Sequence, residues 1–269
     1  MRSIRLITTS PSSKPEVIEL DAPSVLLQWA TGGLFFGWVT TRRREVGLGY
    51  GWLLRSSYGI LALLAAVIAW RFDWVPGRDI AALGVAIAAF VTLTISIRNR
   101  GAGLEGYDPR LDLIAPVIGF VGLIVAGLVA GDPAWLSLAR MLVGAAFLGV
   151  VTDAMLLGHW YLVQPGLRRA PLIELVRWTG ILWLPEVILF LIPVGMASVW
   201  TGTIDDGYAG MLGWFWGACV VTTIGLVAVT LAALKEKQYS AVMAATGLLY
   251  LAILTGFGID LVARASLGT

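Results

Sequence analysis

The chain has one cysteine and one histidine, and only 13% of its 269 residues are charged. Each scarcity closes off a class of protein. A single cysteine, Cys219, excludes a disulfide framework, a dithiol centre and a thiolate metal cluster, and inside an apolar run it reads as a small buried hydrophobe. A single histidine, His159, cannot supply both axial ligands of a membrane b-type haem. A His–carboxylate metal site would need His159 to meet Asp153 or Glu186 at a depth that neither naturally reaches. Glycine-rich nucleotide loops, nucleophile elbows and protease-type zinc motifs are missing. No covalent cofactor and no metal are expected, and a stand-alone enzyme is less expected than a non-catalytic membrane subunit.

Charge is also nearly balanced. Nineteen Lys and Arg against 17 Asp and Glu leave +2, and the basic residues are scattered between apolar runs. That pattern suits membrane-flanking anchors and argues against a nucleic-acid partner. The polar tail 1–23, with three prolines, lacks the short apolar core of a secretory signal.

What the chain does have is apolar length. Hydrophobic residues make up 58% and mean hydropathy is +0.84, against roughly 45–50% apolar residues in a soluble domain. The fold class this defines is an all-α, polytopic integral membrane bundle of about eight transmembrane helices, each near the roughly 20 residues that cross hydrocarbon. Cutting the chain at charge clusters and Gly/Pro punctuation places the spans at 24–41, 52–71, 79–98, 112–130, 134–163, 171–199, 208–234 and 239–263, in one domain, 24–269.

The connections after spans one, three, five and seven carry Arg42, Arg43, Arg44, Arg100, Arg110, Arg168, Arg169, Lys235 and Lys237. Short basic loops stay on the cytoplasmic side. The expected location is therefore the cell (inner) membrane, multi-pass, with both termini outside. Trp70, Trp74, Trp135 and Trp200 would then mark the outer interface, while Trp214 and Trp216 would pack between helices. Arg55, in the second span, is expected to snorkel toward head groups. Arg140 is expected at head groups or beside Asp132, and Asp260 with Arg264, four residues apart, as a local ion pair.

Gly32–Thr40 (GGLFFGWVT) and Gly144–Thr152 (GAAFLGVVT) agree at five of nine positions. A parallel repeat of four plus four helices would produce this, and so would chance among residues common in membrane helices. In either case Gly32, Gly33, Gly37, Gly144 and Gly149 permit close helix approach.

Two acids stand out within apolar runs. Asp153 is about 16 Å from the basic end of its span at 1.5 Å per residue, and Glu186 is roughly 22 Å into the next. A charged Asp at the membrane centre costs at least about 2.5–3.5 kcal/mol. Pro185 should break the helix beside Glu186. The expectation is a carboxyl pair on consecutive helices that shares and carries a proton; the alternative is a pair of neutral acids tying helices together. At the basic interface, His159, Trp160, Tyr161, Glu174 and Arg177 form a second candidate set that would hold the head of a quinone-like amphiphile, with Glu174 and Arg177 paired within one turn. An aromatic belt with a surface ion pair is the simpler account of the same residues.

Three functions fit. The first is the expected one, with quinone near the cytoplasmic interface, because the polar groups are few, aromatic-flanked and split between interface and midplane; the other two are alternatives. A redox or bioenergetic membrane subunit would bind quinone and lipid, work with other membrane or peripheral subunits, and use the acids for protons. A proton-coupled secondary transporter would use them for coupling. A structural or anchoring subunit would use neither.

Overall fold

The computed structural model describes residues 20–72, 74–102, 107–130 and 133–268. Among them there is no strand. The helices are α1 (Ala22–Thr41), α2 (Leu48–Phe72), α3 (Pro76–Gly101), α4 (Ile114–Val129, entered through a 3-10 turn at Pro109–Leu113), α5 (Ala134–Val163), α6 (Ala170–Leu191), the short α7 (Met196–Trp200), α8 (Met211–Ala233) and α9 (Tyr239–Leu267). The fold is an all-helical membrane bundle. Most of the 1–23 tail, and Asp132, lie outside the described residues.

Among the described residues six helices, rather than the eight expected, are long and apolar enough to cross a membrane: α2, α3, α4 with its entering turn, α5, α8 and α9. The two long helices that fall short are α1 and α6. For α1 the reason is its position: 14 of its 20 residues are buried, between α2, α4 and α5. A helix wrapped by protein can carry Gln, Thr and Gly where a lipid-facing one cannot. In α6 the charges Glu174, Arg177 and Glu186 lower the apolar character, and the helix continues through Pro185 to Leu191.

The two halves share a packing pattern. In the first, α1 packs on α2, α2 on α3, α3 on α4, and α4 back on α1; in the second, α5, α6, α8 and α9 close the same ring in the same order. The halves meet chiefly through α1 on α5, the helices that hold the two similar nine-residue segments. Contact there is backbone to backbone. A Cβ built on Gly32 would lie 1.7 Å from the Ala145 carbonyl oxygen, and one on Gly149 would lie 2.1 Å from the Gly32 carbonyl carbon.

The arginine-rich turns gather at one end. Arg42 and Arg43 bridge from the α1–α2 turn to Glu174 of α6 at 2.8 and 2.9 Å, and Arg169 donates to carbonyls of the α8–α9 turn, including those of Lys237 and Gln238. At the opposite end Asp21 caps α1 and, with Asp79, receives the buried Arg78 guanidinium of α3. Trp70 and Trp135 are exposed there. Trp216 packs as expected and donates to the Ile259 carbonyl, but Trp214 is 76% exposed on the surface of α8 rather than between helices: two residues rotate a helix by about 200°.

The long turn before α8 is held by Asp206. Its carboxylate accepts from the amides of Tyr208, Gly210 and Leu212 at 2.9, 2.8 and 3.0 Å. The Gly210 amide foremost, against a smaller opposing effect of burial, holds this carboxyl below its ordinary value. The group binds its proton more weakly folded than unfolded, so its stabilising effect is present above about pH 4, the ordinary aspartate value, and is lost as pH falls through the lowered one. Hydrogen exchange should show the three amides protected in wild type down to below that range and poorly protected at every pH in Asp206→Asn.

Candidate functional site

Asp153 lies where the two halves meet. The α2 residues Tyr50, Leu54, Tyr58 and Ala62 recur every four positions and are buried, so one face of α2 turns toward α1 and α5. Gly33 of α1 lacks the side chain that would block this face: a Cβ there would fall 2.0 Å from the Tyr58 ring. Through that gap the Tyr58 hydroxyl donates to Asp153 Oδ1 at 2.5 Å, and the Tyr50 hydroxyl donates to the Asp153 backbone carbonyl at 3.2 Å. Asp153 is fully buried and Oδ2 has no hydrogen-bond partner among the described residues. This free oxygen faces Gly37 of α1, whose missing Cβ would stand 3.7 Å from it. Gly37 also lines a narrow cleft with Thr41, Gly51 and Arg55 that opens toward the basic end.

Glu186 belongs to a different cluster. Its neighbours are Asp260 and Arg264 of α9 and Arg140 of α5, with the Asp260 carboxyl within hydrogen-bonding reach, and neither Glu186 oxygen accepts from an N–H or hydroxyl group among the described residues. Arg264 donates through Nε to both Asp260 oxygens, at 3.0 and 2.9 Å, and through Nη2 to the Arg140 carbonyl. Arg140 donates to the carbonyls of Leu189 and Ile192 at 3.1 and 2.9 Å, so it faces the interior of the bundle and not head groups. Both guanidiniums flank the Phe190 ring, at 5.4 and 5.7 Å. The cluster presses on Gly144, nine residues before Asp153, or about 13 Å along α5. The expected pairing of Asp153 with Glu186 is therefore not formed: each acid turns to a helix distant in sequence, α2 for one and α9 for the other.

The interface set is dispersed too. His159 is exposed, with Nδ1 3.0 Å from the Tyr250 hydroxyl of α9. Trp160 packs against the Tyr50 ring and donates to Gln164. Tyr161 turns inward and donates to the Arg168 carbonyl. Glu174 is taken by Arg42 and Arg43 rather than by Arg177, which is exposed. None of these five side chains lines the cleft at Gly37.

A cavity of about 540 Å³ at the basic end adjoins that cleft and shares Thr41, Gly51, Arg55 and Asp112 with it. Arg44, Arg55, Arg100, Tyr107 and Asp112 line it. Arg55, expected to reach for head groups, is 95% buried and held bidentate by Asp112 at 2.7 and 2.7 Å; Tyr107 donates to the same carboxylate and stacks under the guanidinium. Sequence reasoning missed Tyr50, Tyr58 and the Arg55–Asp112 pair. The four-residue spacing of Tyr50, Leu54 and Tyr58 was the available signal for the tyrosines; no local pattern links Arg55 to a residue 57 positions away.

These features define a helical membrane protein with two separate buried acid clusters and a basic cavity. No family model matches the chain, and comparison with curated proteins and with solved structures finds none that resembles it.

Proposed function

We propose that the protein is a proton-coupled secondary transporter in which Asp153 is the coupling acid, with Glu186 and its neighbours forming a second proton-holding station toward the opposite end. One observation carries this: a fully buried carboxyl at the junction of two like-packed halves, with one oxygen held by Tyr58 and the other free behind the wall of a cleft. Coupling sites in transporters built from repeats lie at the repeat interface near mid-membrane, where rocking of one half against the other changes access. The arginine-rich turns orient the chain with that end in the cytoplasm of the cell that makes it and both chain ends outside.

In proteoliposomes carrying a pH gradient and a trapped pH dye, wild type should show solute-dependent proton entry with some members of a panel of small solutes. Asp153→Asn should slow it by about 100-fold, the scale of losing a positioned proton carrier, and Tyr58→Phe by less. Proton entry at the wild-type rate in Asp153→Asn would reject the assignment.

The second reading, a quinone-handling subunit of a redox assembly, is supported by the His159–Tyr250 pair. Both side chains are exposed on the outer surface of the helices, where a lipid-soluble headgroup arrives. It requires that quinone and partner subunits co-purify from native membranes and that quinone is lost in His159→Ala.

A further inference from the structure

The basic cavity adjoins the cleft at Gly37, yet it carries a cluster of arginines that proton coupling at Asp153 does not require. We propose that it binds a phosphate monoester group, carried either by a soluble phosphorylated molecule or by a lipid headgroup.

The argument begins with charge. Arg44, Arg55 and Arg100 contribute three positive charges to the lining and Asp112 one negative charge. Asp112 is already engaged by Arg55 and Tyr107. Arg44 and Arg100 have no carboxylate partner among the described residues: Arg44 donates to the Tyr107 carbonyl at 3.3 Å, and Arg100 rests over the Trp52 ring at 5.2 Å. The uncompensated charge of two matches a phosphate monoester, which carries about −1.5 to −2 at neutral pH. Guanidinium forks also fit phosphoryl oxygens in pairs.

Geometry at the base agrees. Arg55 is fixed by Asp112 on one side, yet its Nη1 has no hydrogen-bond partner among the described residues and lies over Gly51, which lines the cavity. Gly47 and Leu48 bring the N-terminus of α2 into the same wall, adding the positive end of a 25-residue helix. Ser96 and Asn99 of α3 add polar groups to the lining, and Val46 and Leu48 apolar ones.

Size selects against a bare ion. A volume of about 540 Å³ is in the range of sites that enclose organic ligands, so an inorganic phosphate would leave most of it to water. The occupant is a phosphate with an organic body, and the exposed Leu48 at the rim offers that body an apolar surface.

Glycerol 3-phosphate and phosphatidic acid carry the same headgroup without and with acyl chains, and so separate the two sources. Purified full-length protein in phosphatidylcholine nanodiscs would be titrated with glycerol 3-phosphate by calorimetry, and compared by native mass spectrometry after reconstitution with phosphatidic acid. Saturable binding of glycerol 3-phosphate assigns a soluble ligand. Retention of phosphatidic acid over phosphatidylcholine, without glycerol 3-phosphate binding, assigns a lipid headgroup. In either case Arg44→Gln/Arg100→Gln should weaken binding on the order of tenfold or more, while Arg71→Gln, an exposed arginine at the opposite end, should not. Binding of neither probe, or equal binding by the double variant, overturns the proposal; because both arginines are exposed, that variant should fold.

Discussion

Gly149→Ala and Gly32→Ala are each expected to abolish the folded protein, although each adds only one methyl group. The reason is what the methyl meets. At Gly149 it would stand 2.1 Å from the carbonyl carbon and 2.5 Å from the carbonyl oxygen of Gly32; at Gly32 it would stand 1.7 Å from the Ala145 carbonyl oxygen. These are backbone atoms of a packed helix and cannot rotate aside. Relief requires α1 and α5 to separate, and with them the two halves of the bundle. The penalty should exceed the about 1–3 kcal/mol of ordinary overpacking, in which side chains absorb part of the strain. Gly225 and Gly247, with nothing within 4 Å of a built Cβ, are the controls: alanine there should be neutral or stabilising by up to about 1 kcal/mol through helix propensity. Size-exclusion profiles and melting temperatures in detergent decide the matter. A monodisperse Gly149→Ala protein with wild-type melting would show that α1 and α5 do not meet here.

Asp260→Ala should lower stability by about 3–5 kcal/mol, the cost of leaving one partner of a buried ion pair uncompensated. Arg264 is 98% buried and donates to both oxygens of Asp260, which is itself fully buried. Glu186 remains nearby in the variant but receives no hydrogen bond from Arg264 in the native arrangement, so it replaces the lost pair only in part. Asp260→Ala/Arg264→Ala removes both charges and should recover part of the loss, a coupling that a double-mutant cycle measures. If the two single effects add, the pair is not an energetic unit. Should Asp260→Ala cost less than about 1 kcal/mol, the cluster is open to water and Glu186 is no buried proton station.

The two experiments probe features that were unequally legible in the chain. The glycine contact was visible as small residues at Gly32, Gly33, Gly144 and Gly149, because glycine's effect on helix approach is local and needs no partner to be named. The acid clusters were visible only as residues out of place. Depth along a helix follows from counting at 1.5 Å per residue, whereas the direction a side chain faces depends on rotation about the helix axis, at 100° per residue relative to neighbours whose own rotation is unknown. Asp153 and Glu186 fall on consecutive helices and for that reason looked like a pair. The structure turns Asp153 to Tyr58 and Glu186 to Asp260.

The sequence by itself determined the membrane-bundle class, the approximate helix boundaries apart from the sixth span, which ends at Leu191 and not at 199, and the gathering of arginines at one end, since hydropathy, length and loop charge are summed along the chain without reference to contacts. Only the tertiary structure decided that α1 is enclosed by α2, α4 and α5. It also buried Arg55 on Asp112, dispersed the interface residues around His159, and opened the basic cavity between α2 and α3. Each of these depends on which helix faces which. Packing of distant segments sets that choice, through backbone contact where glycines permit it and through charge pairing where burial demands it.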